Sequence, residues 1–155
     1  MAEPTLEERV ARIEAEREIL RTLHVYGHAV DYGWEAEFVD CFVPEARLVW
    51  PMTEPMLGHE PIRAAFRAHT HAPERYHKHF LVAPLIDLDG ERARVTSMFA
   101  RLDPYDTVPK ICAFGRYVDE LAACPDGRWR IVTRVAEIEA WRHGAPPIAA
   151  LLGRA

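Results

Sequence analysis

Residues 77–102 read HKHFLVAPLIDLDGERARVTSMFARL. Two extended runs, 77–88 and 93–102, flank Asp89-Gly90, a dipeptide suited to the tight turn of an antiparallel hairpin. Downstream the same texture returns twice, at 111–121 and 129–141, around the turn Pro125-Asp126-Gly127. Between them DPYDTVP, residues 103–109, carries two prolines and reads as a loop. The second half of the chain is therefore expected to be an antiparallel meander.

Upstream the pattern changes to helices. Residues 5–32 predict one long helix: Thr5 and Glu8 form a capping box, and Leu6, Val10, Ile13, Leu20 and Leu23 give an apolar stripe. Gly27 and Gly33 weaken its end. A short helix is expected over 34–42, with Trp34, Phe38 and Phe42 four residues apart, stopped at Val43-Pro44. Residues 46–52 read as a strand. A third helix is expected over 61–70, with Pro61 at its first position. Helices first and strands after is an α+β layering, in which a strongly curved, mainly antiparallel sheet wraps a long helix and leaves a concavity.

The 155 residues suit one domain, able to bury roughly 68–70% of its unfolded surface. A net charge of −5 with no basic run excludes the usual face for nucleic acid. Cys41, Cys112 and Cys124 have neither disulfide-framework nor zinc-ribbon spacing. The charged N-terminus does not read as a signal peptide. No apolar run approaches the roughly 20 residues of a membrane span. A cytoplasmic protein is expected.

Several residues could carry chemistry. Asp31 ends the first helix among Val30, Tyr32 and Trp34; it is either a partly buried acid or a surface acid paired with His28. His79 shares a strand face with His77, Leu81, Ala83 and Leu85, so it is a general base on an apolar wall or a structural histidine. Tyr26 lies about 140° round the helix from Asp31, so spacing alone does not put the two on one face. His69, His71, His77 and His79 raise the question of metal, but match no established ligand spacing, and none is expected. Asp103 and Asp106 are either a carboxylate pair or, with Pro104 and Pro109 marking a loop, solvated loop acids, and the second reading is favoured. Arg116 and Arg134 point either inward to an oxygen or outward from the sheet. Trp34, Trp50, Met52, Met56, Phe80 and Met98 are candidates for an apolar lining or for plain core.

Taken together, LHVYGHAVDYG, WEAEFVDCFVPEARLVW, GHEPIRAAF, YHKHFLVAPLIDLDGERARV and DGRWRIVTRVAEIEAW resemble the SnoaL-like family, of the nuclear-transport-factor-2-like group, over residues 5–142. The resemblance implies a cone-shaped α+β domain spanning 1–142, with 143–155 as a tail. It further implies that Asp31 orients His79 in a catalytic dyad, as in the dehydratases of this group. Tyr26 takes the place of a tyrosine found in bile-acid-dehydratase-like members. Arg134 stands for the pocket arginine of some members, and Trp34, Trp50, Met52 and Met98 for the substrate lining. The implied activity is that of a cofactor-independent lyase of the dehydratase type, acting on a hydrophobic cyclic molecule. The same dyad would serve an isomerase or a cyclase, and the same fold a non-catalytic binding domain. The expected assembly is a homodimer or homotrimer, since the late strands carry apolar residues on both faces.

Overall fold

A computed structural model describes residues 3–105 and 108–141. Among these, three helices come first or interleave with a short hairpin: α1 (Leu6–Tyr32), α2 (Glu35–Asp40) and α3 (His59–Ala68). The strands are β1 (Phe42–Val49), β2 (Met56–Leu57), β3 (Lys78–Asp89), β4 (Arg92–Tyr105), β5 (Val108–Ala123) and β6 (Trp129–Trp141). They form one unclosed sheet in the order β2-β1-β6-β5-β4-β3. Pairing is antiparallel except between β1 and β6, which run parallel. The expected α+β layering is present.

α1 starts at the capping box: Thr5 Oγ1 accepts the Glu8 N–H at 3.2 Å, and the Glu8 carboxylate accepts the Thr5 N–H at 2.7 Å. Its buried stripe is Ile19, Leu23, Tyr26 and Val30, one helical face. Leu6, Val10 and Ile13, expected in that stripe, are exposed, and burial in α1 begins at Ile19. α2 is shorter than expected. It ends at Asp40, and Phe42 already belongs to β1. Pro44 does not stop a helix. It falls where the β1–β6 register is irregular, between Phe42 and Arg47, so its missing N–H breaks no ladder bond. Phe38 still anchors the core, its ring 5.0 Å from Tyr26 and 4.6 Å from Phe66. Aromatic pairs of this kind add about 0.5–1.5 kcal/mol beyond their area.

The loop expected at 103–109 is mostly strand. β4 and β5 stay paired past Asp103, with Pro104 opposite Pro109 and Tyr105 opposite Val108. Antiparallel ladders alternate pairs that exchange N–H bonds with pairs that do not, which leaves room for facing prolines. Asp106 and the tail 143–155 lie outside the described residues.

Register shifts between Val82 and Leu85, Arg101 and Leu102, and Phe114 and Gly115 bend the sheet. At the last of these the two backbones approach so closely that a Cβ on Gly115 would sit 1.9 Å from the Glu137 carbonyl oxygen. The concave face carries Val95, Ser97, Phe99, Tyr117 and Leu121, all buried. The other face exposes Phe80, Val82, Leu85, Met98, Ile111 and Phe114. No helix among the described residues is long and apolar enough to cross a membrane. All three cysteines are free thiols.

Candidate active site

The end of α1 meets the start of β3. Gly33 closes the helix in the left-handed conformation, φ 75°, and donates its N–H to Ala29 O at 2.9 Å. The segment after α3 then ties itself to this end. The Ala72 N–H donates to Asp31 O at 3.0 Å, and the His71 ring contacts Val30 O at 2.7 Å and Phe66 O at 2.9 Å. This delivers β3 beside Asp31.

Asp31 is 3% exposed. Its Oδ1 lies 2.6 Å from His79 Nδ1, and its Oδ2 accepts the His79 backbone N–H at 3.1 Å. A carboxylate can only accept, so Nδ1 carries the hydrogen and Nε2 is left as the basic nitrogen. Burial pushes the Asp31 carboxyl up. The hydrogen bonds and the charge of His79, with a smaller contribution from His77, outweigh it and hold the group below its ordinary value.

His79 lines a cavity of about 410 Å³ between α1 and the concave sheet face. Tyr26 lines it as well, beside Trp50, Phe99, Tyr117 and Ile138. The 140° between Tyr26 and Asp31 has a simple geometric consequence. Tyr26 faces the cavity directly, whereas Asp31 reaches it through the His79 ring. The Tyr26 hydroxyl accepts the Trp50 indole N–H at 2.8 Å. Burial raises its pKa, so it is a neutral phenol with a proton to give, and the nearby Arg134 works in the opposite sense.

Trp50 and Met52 line the cavity too, Met52 at its open edge. Trp34 does not: it is 45% exposed and stacks with His28 and Tyr32 on the outer side of α1. Met98 is 53% exposed on the outer sheet face, as is Phe80 nearby. Strand alternation turns Met98 out and its neighbour Phe99 in. Met56 is buried in β2, away from the cavity. Arg134 points inward but is fully buried and committed. Its Nε and Nη2 donate to the two Asp119 carboxylate oxygens at 2.8 and 2.7 Å, and its guanidinium carbon lies 4.0 Å from the Tyr26 ring centre. It forms a floor under Tyr26. Arg116 pairs with Glu137 at 2.7 Å and Glu139 at 3.2 Å, outside the cavity.

Asp103 is not a solvated acid. It is 3% exposed and receives Arg101 Nε at 3.0 Å and Arg75 Nη2 at 3.4 Å, and all three line the cavity. Neither arginine stands out in the sequence. The signal that could have found Arg101 is its parity with Phe99 once the hairpin register is counted.

His69 and His77 complete the wall behind His79. His77 is 1% exposed, and neither of its ring nitrogens has a hydrogen-bond partner among the described residues. Its Nε2 lies 3.6 Å from Asp31 Oδ1. Donor atoms of Asp31, His77 and His79 lie within 4.8 Å of one another, a set able to hold a divalent ion. Burial first, then neighbouring charges, push both His69 and His77 down to about 4. In the unfolded chain these rings titrate near 6.5. The unfolded state therefore binds more protons below that pH, and acid destabilises the fold. Stability is expected to be complete above about pH 6.5 and to fall toward pH 4, by up to about 1.4 kcal/mol per pH unit for each ring. Urea unfolding at a series of pH values measures the slope, and His69→Gln should remove about half of it. A slope that is flat across this window would contradict this pair of neutral rings.

A long helix over a curved open sheet, with an acid–histidine pair beside a cavity that opens at Met52, defines a cone-type α+β domain. The chain belongs to the SnoaL-like domain family, whose model matches residues 11–135. A search of curated proteins gave no match. Among solved structures it is similar to a nuclear-transport-factor-2-like protein with a cystatin-like fold from Novosphingobium aromaticivorans. That likeness has a TM-score of 0.76 and 20% identity, over 99% of this chain and 100% of the other. It is also similar to a scytalone-dehydratase-like protein from the same organism, with a TM-score of 0.72 and 19% identity over 93% and 97% of the two chains. A protein of unknown function from Mycobacterium tuberculosis gives a TM-score of 0.72 and 21% identity over 81% and 77%. At these identities the likeness is one of fold.

Proposed function

We propose that this protein is a cofactor-independent acid–base lyase of the dehydratase type, acting on a hydrophobic cyclic small molecule. The observation that carries the reading is the 2.6 Å contact between Asp31 and His79 at the cavity wall. His79 Nε2 removes a proton from a carbon next to a carbonyl. Asp31 stabilises the imidazolium that forms. The carbon–oxygen bond of a hydroxyl one carbon further on breaks, Tyr26 protonates the departing oxygen, and water leaves as the double bond forms. The proton held on His79 then returns to Tyr26 through the released water. General acid–base assistance of this kind contributes about 10²–10⁴-fold.

The test is a panel of cyclic β-hydroxy-ketones, followed by single-turnover absorbance of the conjugated product, with and without a chelator. Turnover unaffected by chelator is the expected result. Activity that is lost with chelator and restored by zinc would make Asp31, His77 and His79 a metal centre. Binding without turnover across the panel would favour a non-catalytic binding domain.

A further inference from the structure

His79 and Arg101 are direct partners in the β3–β4 ladder. Residues so paired carry their Cβ atoms about 4.5–5.5 Å apart on one face. Imidazole and guanidinium are therefore neighbours on the cavity wall, which both of them line. Two residues along the same face, the buried Asp103 carboxylate is gripped by Arg101 and by Arg75. A buried carboxylate needs a countercharge, and that need accounts for one arginine. It does not account for two. Among the described residues, two guanidinium groups and one carboxylate leave an excess of one positive charge at this end of the cavity. Asp31 sits behind the His79 ring and is not among the lining residues. Arg75 is 44% exposed at its side chain, so the positive end is accessible from outside. Much of the remaining lining is apolar, including Val30, Trp50, Phe99 and Ile138.

We propose that the molecule taken by this cavity is an amphipathic acid: an apolar ring system bearing a carboxylate, anchored by Arg101 and Arg75 beside His79. Guanidinium groups suit carboxylates because they donate in a planar fork. Anchored by that end, the ring carbons beyond the carboxylate meet the basic nitrogen. The proposal rests on the acid–base reading only for the identity of the reacting carbon. The binding preference stands or falls separately.

The experiment is calorimetric titration with 2-naphthoate and 2-naphthamide, which share a shape and differ in charge. The parent protein is expected to bind the acid about tenfold or more tightly than the amide, since charge-assisted hydrogen bonds outweigh neutral ones. Raising the salt concentration should narrow the gap. Arg75→Gln, at the accessible rim, should reduce the preference. Arg101→Gln combined with Asp103→Asn, which removes both members of the buried pair together, should reduce it to about twofold or less. Circular dichroism checks that the double variant is folded, and if it is not, Arg75→Gln decides alone. Equal binding of acid and amide by the parent, binding of neither, or a preference untouched in the folded arginine variants would overturn the proposal. A clear acid preference without turnover of any hydroxy compound would sink the lyase reading and leave this one standing. Turnover of neutral ketones without an acid preference would do the reverse.

Discussion

His79→Ala is expected to lower the single-turnover rate by at least about a hundredfold, within the range of general acid–base catalysis, while the melting temperature stays near that of the parent. The expected stability rests on the remaining contacts of Asp31. Its Oδ2 still receives a backbone N–H from position 79, Lys78 Nζ lies 4.0 Å away, and His77 Nε2 is 3.6 Å from Oδ1. Asp31→Asn should be comparably severe for a different reason: the amide can donate to Nδ1, impose the wrong tautomer and leave the imidazolium unstabilised. Tyr26→Phe should match them, because the phenol supplies the proton to the departing oxygen. The three effects should not add, because the groups act as one unit. Melting curves and single-turnover rates on each variant are the measurement. A His79→Ala protein that melts like the parent and turns over at the parent rate removes the lyase reading.

The second large effect concerns the buried ion pair beneath Tyr26. Asp119→Leu should cost about 3–5 kcal/mol, because it leaves the Arg134 guanidinium buried, charged and without its bidentate partner. For a domain of this size that corresponds to a fall of about 10 °C in melting temperature. Combining Asp119→Leu with Arg134→Met should recover most of the loss, since a well-packed apolar pair avoids the desolvation of both charges. Tyr26 would then lose the cation against its ring, so stability should return without full catalytic rate. Thermal melts of the single and double variants separate these outcomes. A single variant within about 1 kcal/mol of the parent would show that the pair contributes little.

The hairpin register carries most of what is legible in the sequence. Asp89-Gly90 sets the turn, and from it alternation turns Phe99 inward and Met98 outward. Residue type alone does not separate the two, because methionine suits a cavity lining and an exposed sheet face equally well. Asp31 and His79 are 48 residues apart, and nothing local shows that their side chains meet. The family resemblance supplies that pairing, and the ties from His71 and Ala72 to the end of α1 give its physical cause. Arg134 illustrates a different limit. An inward-pointing arginine is legible, but whether it faces a ligand or an internal acid depends on Asp119 in the neighbouring strand. Asp103 is hidden by the prolines near it, which suggest a loop until the strand that faces them is known.

Among the described residues β3 forms one edge of the sheet, and its solvent-facing side chains include Phe80, Val82 and Leu85. An extended, apolar edge of that kind is a template on which another strand can pair side by side. The bulge between Val82 and Leu85 interrupts it. Ala83 there adopts φ 47°, and Pro84 has no N–H to offer an incoming strand. The irregularity that bends the sheet round its cavity therefore also breaks the row of donors at its rim, so the curved wall and the interrupted edge come from the same few residues.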